Sequence, residues 1–146
     1  MLTKIGLDLG YANITLSDAT SGIYREPSVA LVDKDSRRIS AVGNAALMGD
    51  GSNGASGMLV RPFKSGLLFD KAITAGIIDN AVRASVSSND VRCVFGVPSD
   101  ILPKQERELA DMLLKSGVNE CLFVNRAMAA LVGAGYSPRI SALVVD

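Results

Sequence analysis

The segment that most restricts how this chain can fold is IGLDLGYANITL, residues 5–16. Ile5, Leu7 and Leu9 alternate with small or polar residues, the period of a strand with one buried face. Tyr11-Ala12-Asn13 forms a tight turn, and Ile14 and Leu16 resume the alternation in a returning strand. The turn carries a carboxylate, Asp8, on one side and main-chain N–H groups and Asn13 on the other. Such a turn can hold the phosphates and metal of a nucleotide, and Gly10 lets the main chain approach them without a side chain in the way. The ending LVVD, residues 143–146, repeats the first half of the pattern: an apolar strand running into Asp146. It reads as the opening of a second phosphate turn.

The rest of the chain specifies a mixed sheet. Residues 23–25 add a third short strand to the meander. SVALVD (28–33) and RRISAVG (37–43) form a further hairpin, NAALMG (44–49) is a short helix, and DGSNGASG (50–57) reads as a solvated loop. Asp70 caps a helix whose inward face carries Ile73, Ile77, Ala81 and Val82. VRCVFGV (91–97) is nearly continuous in apolar residues, as for a central strand covered on both faces. Pro103 opens a helix to Lys115, with Leu109, Met112 and Leu113 inward and Gly117 as its stop. Cys121–Val124 is the next strand, Asn125 caps a helix ending at Gly133 or Gly135, and 141–146 begins one more strand. A meander followed by alternating helices and strands gives an α/β fold with helices flanking a mixed sheet. G-x-G-x-x-G and G-x-x-x-x-G-K-[ST] are both absent, which excludes the dinucleotide and P-loop fingerprints.

Composition narrows the function classes. Fifteen acidic residues balance fifteen basic ones, so bulk charge offers no reason to expect nucleic acid as a partner. With no histidine, every imidazole-based mechanism is excluded. Cys93 and Cys121 lie in apolar runs and read as buried free thiols. No run is long enough to span a bilayer, and the start, MLTKIGLDLG, enters a strand without a signal segment, so the expected location is cytoplasmic.

Seven stretches taken together resemble the MreB family of bacterial actin-like ATPases. They are residues 5–16, EPSVALVD (26–33), AVGNAALMG (41–49), VRPFKSGLLFDKAIT (60–74), VFGVPSDILPKQERELADMLLKSGV (94–118), FVNRAMAALVGAG (123–135) and LVVD (143–146). The resemblance implies an actin-like, ribonuclease H-like fold with a small inserted α+β subdomain. Residues 1–140 would be the first lobe, with 26–64 the insertion, and 141–146 the first strand of a second lobe that the chain otherwise lacks. It implies the ATP-binding half of a cytoskeletal filament protein involved in cell shape. Asp8 and Asp146 would serve Mg²⁺ through its water shell, and Gly10, Tyr11, Ala12 and Asn13 would form the first phosphate turn. The expected partners are further copies in a filament, actin-like relatives or cell-shape proteins.

Departures from the family pattern carry information. The family orients its attacking water with a glutamate in the turn Glu-Pro-Met, whereas this chain has Arg126-Ala127-Met128. A guanidinium has no acceptor with which to orient water, so the resemblance implies ATP binding with weak or absent hydrolysis. Tyr11 stands where the family usually has threonine, and Ser65 where an acidic residue is usual. The loop Ser85–Asp90 buries too little for direct membrane binding. The alternatives are a degenerate actin-like protein that copolymerises with an active relative, or a lobe of a heat-shock-chaperone-like ATPase. A sugar kinase on the same fold fits least, because no sugar-binding insertion is evident.

Overall fold

The computed structural model of the chain describes residues 2–20, 22–49, 57–64, 67–68 and 70–145. The first strands are β1 (Leu2–Leu9), β2 (Asn13–Asp18) and β3 (Gly22–Pro27), joined as an antiparallel meander. Next come β4 (Ala30–Asp33), β5 (Ile39–Val42), helix α1 (Gly43–Gly49) and β6 (Gly57–Val60). The two-residue strands β7 (Phe63–Lys64) and β8 (Leu67–Leu68) follow. The chain then alternates through α2 (Lys71–Ser85), β9 (Asp90–Val97), α3 (Pro103–Lys115), β10 (Glu120–Asn125) and α4 (Arg126–Gly133).

The main sheet has the order β10-β9-β1-β2-β3. Strand β1 pairs antiparallel with β2, aligning Leu7 with Leu16, and parallel with β9, aligning Leu7 with Phe95. This mixed sheet, led by a three-strand meander and flanked by helices, is the α/β architecture expected above. The three-stranded sheet β5-β4-β6 lies beside it, with α1 against β4 and β5.

Alternation along β1, β2 and β9 sends Ile5, Leu7, Leu9, Ile14, Leu16, Val91, Cys93 and Phe95 to one face, where all are buried. Helices α2 and α3 cover that face with Ile73, Ile77, Ile78, Ala81, Leu109, Met112 and Leu113. Each helix starts where the sequence places it. Asp70 accepts a hydrogen bond from the Ile73 N–H at 3.0 Å, and Pro103 occupies the first turn of α3. Gly117, with φ of +98°, turns the chain out of α3 in a conformation that side chains disfavour.

Three expectations need correction. Strand β9 is not covered on both faces along its length, because Arg92 and Val94 alternate outward and Val94 is 42% exposed, and only its end, at Gly96, is buried on that side. Both long helices pack on the opposite side, and α4 has no buried residue. Residues 141–145 form no strand, and Leu143 and Val145 are almost fully exposed. Among the described residues no further strand offers them a ladder. Residue 57, assigned to the solvated loop, begins β6, which pairs with β4; residues 50–56 of that loop lie outside the described residues, as does Ser65.

Cys93 and Cys121 are aligned neighbours on β9 and β10, and both are free thiols, but only Cys93 is buried as expected, Cys121 being partly exposed on the edge strand. Burial, and secondarily the neighbouring Cys121, push the Cys93 thiol up to about 12. An unfolded thiol ionises near 9, so the folded state loses stability as pH rises from about 9 to about 12. Thiol-reagent labelling in the native state at pH 8 is expected to leave Cys93 unmodified, with modification on unfolding. The one-sided sheet makes a second prediction. Leu113→Ala, at a fully buried site, should cost about 2–5 kcal/mol. Leu122→Ala, on the open face at 61% exposure, should cost less than about 0.5 kcal/mol. Urea denaturation of the two variants checks the contrast.

Candidate functional site

The β1–β2 turn lies at the end of the sheet's central strand. The Gly10 N–H donates to the Asn13 carbonyl at 2.9 Å, closing the turn over Tyr11 and Ala12. A Cβ on Gly10 would lie 3.1 Å from that same carbonyl, so the tight closure itself favours glycine. The Ala12 carbonyl in turn accepts from the Ser28 N–H at 2.9 Å, which ties the turn to the chain entering β4.

Arg61, just beyond β6, reaches back across this corner. Its Nη1 lies 3.2 Å from the Tyr11 carbonyl, 3.3 Å from that of Ala12 and 3.4 Å from that of Ser28. The guanidinium also sits 5.3 Å from the centre of the Tyr11 ring, within cation–π range. One cation thus gathers three carbonyl oxygens, two from the turn and one from the chain entering β4. Sequence reasoning missed Arg61. Its partners lie 33 to 50 residues away, and no local pattern announces such contacts.

Asp8 is the last outward-facing residue of β1, with Thr15 opposite it on β2 and Gly96 on β9. Its Oδ1 lies 2.7 Å from Nε of Arg126, the first residue of α4. Nη2 of the same arginine donates to the Leu9 carbonyl at 3.1 Å. The Asp8 side chain is 46% exposed and that of Arg126 29%, so the pair lies at the boundary of the molecule. Gly96 lies between them: a Cβ there would be 3.6 Å from Asp8 Oδ1 and 4.0 Å from the Arg126 Cα. Anything larger would crowd the path by which the arginine reaches the carboxylate.

The start of α4 is itself fixed. The Asn125 side chain accepts from the Met128 N–H at 3.1 Å, as a helix N-cap does, and donates to Ser99 Oγ at 2.8 Å. Asp8 and Arg126 also line an open cavity of about 450 Å³ between the outward face of the sheet and α4. Gly6, Ser17, Val94, Val124, Ala130 and Val144 are among the residues that line it.

The structure thus brings Asp8, Gly10, Tyr11, Ala12, Asn13 and Arg126 to one end of the sheet. Asp146, the other expected carboxylate, lies outside the described residues. Among the described residues no group of three or more His, Cys, Asp or Glu is placed to hold a metal ion. The one carboxylate at the turn faces a fixed cation, which disfavours a divalent ion beside it. Arg126 therefore does not project freely into solvent; it cross-links β1 to α4.

The family model of the MreB/Mbl protein matches residues 2–146. The chain is 28% identical to the cell shape-determining protein Mbl of Bacillus subtilis, over 90% of this chain and 40% of that protein. It is 27% identical to the cell shape-determining protein MreB of Escherichia coli, over 97% of this chain and 44% of that one. It therefore spans about two-fifths of the length of these relatives. Among solved structures, MreB5 of Spiroplasma citri bound to ADP superposes with a TM-score of 0.77 at 24% identity, covering 92% of this chain and 41% of that one. The MamK double helical filament superposes at 0.76 with 19% identity, covering 92% and 44%. These likenesses establish an actin-like fold. No helix among the described residues is long and apolar enough to cross a membrane.

Removing the Arg61 clamp tests how the turn is held. Arg61→Ala should destabilise the protein by about 1–3 kcal/mol, since it removes a charged donor shared by three carbonyls. Amide hydrogen exchange at Gly10–Asn13 should accelerate more than exchange in α2. Equal acceleration in both would show that Arg61 supports the fold generally and not the turn.

Proposed function

Because this chain belongs to the MreB/Mbl family, we propose that it is the phosphate-holding half of an ATP-binding, filament-forming protein of the bacterial cytoskeleton, with weak or absent hydrolysis. The observation that carries the reading is the Gly10–Asn13 turn at the end of β1, with Asp8 beside it and Arg126 directed at it from α4. With the Gly10 N–H taken up in closing the turn, the main-chain N–H groups of Tyr11, Ala12 and Asn13 are the donors for phosphate oxygens, and the clamped carbonyls hold them in one geometry. The fold shared with MreB5 of Spiroplasma citri bound to ADP supports the nucleotide class.

Slow hydrolysis follows from the residue at the start of α4. Aligning a water on the terminal phosphate needs an acceptor. Arg126 has only donors, and two of its nitrogens are engaged by Asp8 and Leu9. The role left to it is to bind and order, not to abstract a proton. This supports a second reading, a cytoplasmic assembly partner that joins an active relative's filament and persists in the nucleotide-bound state. Self-association is supported by the likeness to the MamK double helical filament.

Titration of the isotope-labelled 146-residue chain with ATP should shift the Gly10–Asn13 amides with a dissociation constant of about 1 mM, roughly −4 kcal/mol. A half-site makes only part of the nucleotide's contacts, so micromolar affinity would contradict this description of it. Absence of any shift in the turn would refute nucleotide binding. Phosphate release by the protein in its complete cellular form should stay at background and rise in Arg126→Glu. Turnover unaffected by that change would reject the role given to Arg126.

A further inference from the structure

We propose that Arg126 is a built-in counter-ion that stands in place of a divalent cation at Asp8, so that this chain takes nucleoside triphosphate as the metal-free anion. The inference rests on the nucleotide-binding reading above and concerns what balances the charge there.

The guanidinium is anchored at two oxygens, the Asp8 carboxylate at 2.7 Å and the Leu9 carbonyl at 3.1 Å. Hard oxygens of these kinds, a carboxylate and a main-chain carbonyl, are the ones a hydrated divalent ion seeks. A guanidinium is charged at every accessible pH, so it neutralises Asp8 permanently, whereas a metal does so only when bound. A divalent ion approaching the carboxylate meets a fixed positive charge of its own sign, in a partly buried setting where screening is incomplete. The described residues hold no carboxylate cluster that would compensate for that repulsion.

The surroundings keep the arginine in place. Gly96 leaves its route to Asp8 open. The Asn125 cap and its bond to Ser99 fix the backbone from which it springs. A polyphosphate arriving at the Tyr11–Asn13 amides therefore meets a neutral pair and not a bare carboxylate. In a site with a free carboxylate, bound metal would be needed to offset repulsion between two anions; here a side chain already does so.

The test follows ATP binding to the 146-residue chain by ¹⁵N NMR, in excess EDTA and in excess MgCl₂. The readouts are the amides of Gly10 and Gly96 and the Arg126 side-chain Nε–H. Wild-type affinity is expected to agree within about threefold between the two conditions. Arg126→Gln should lose at least about tenfold in EDTA and regain much of it in MgCl₂. Arg126→Lys, which keeps the charge, should retain metal-free binding and guards against a purely structural effect. Manganese ions should broaden the Asp8 amide in Arg126→Gln but not in wild type, and adding Asp8→Asn should abolish that broadening. A wild type that binds ATP but needs magnesium for it, by about tenfold or more, overturns this proposal and leaves nucleotide binding standing. Manganese broadening at Asp8 as strong in wild type as in Arg126→Gln also overturns it. If ATP moves no resonance in either condition, in wild type or variants, nucleotide binding fails and this proposal fails with it.

Discussion

The double pairing of β1 governs the rest of the molecule. Joined to β2 on one side and β9 on the other, it cannot slip by one residue without moving Ile5, Leu7 and Leu9 out of the core and Asp8 into it. Burying an unpaired carboxylate and exposing buried leucines are both unfavourable, so the register is held from both faces. The same alternation that builds the core therefore delivers one acidic group to the outward face, beside the turn. Core and site are two readouts of one strand.

Charge at that end of the sheet is arranged by residues distant in sequence. Arg61 comes from the three-stranded sheet and Arg126 from the last helix, yet both serve the same short stretch of β1 and its turn. They act on different oxygens. Arg61 gathers carbonyls behind the turn, and Arg126 meets the carboxylate and the Leu9 carbonyl. Arg126 balances the carboxylate while Arg61 adds a positive charge behind the turn, although the chain as a whole carries no net charge. Composition alone conveyed nothing of this.

Most of the fold was legible because its signals are local. The hairpin of residues 5–16, the Asp70 and Asn125 caps, Pro103 at a helix start and Gly117 at a helix end each act within a few residues. What was not legible depended on long-range partners. Strand β6 is four residues long, directly follows a glycine- and serine-rich stretch, and is a strand because β4 lies beside it. The outward face of β9 was misjudged because a run such as VRCVFGV looks continuous unless Arg92 and Val94 are read as its exposed period. At the site, the turn residues and the odd character of Arg126 were visible in the sequence. Its partnership with Asp8, 118 positions earlier, was not, and neither was the Arg61 clamp.

That clamp has a mechanical consequence. Arg61 holds the carbonyls of Tyr11, Ala12 and Ser28 at once, so the β5-β4-β6 unit is bolted to the tip of the central hairpin. Any tilt of the smaller sheet would apply torque to the loop at that tip. The small sheet thus acts as a lever arm whose short end is the Tyr11-Ala12 peptide, and a push on its far rim would be felt where phosphates are expected to rest.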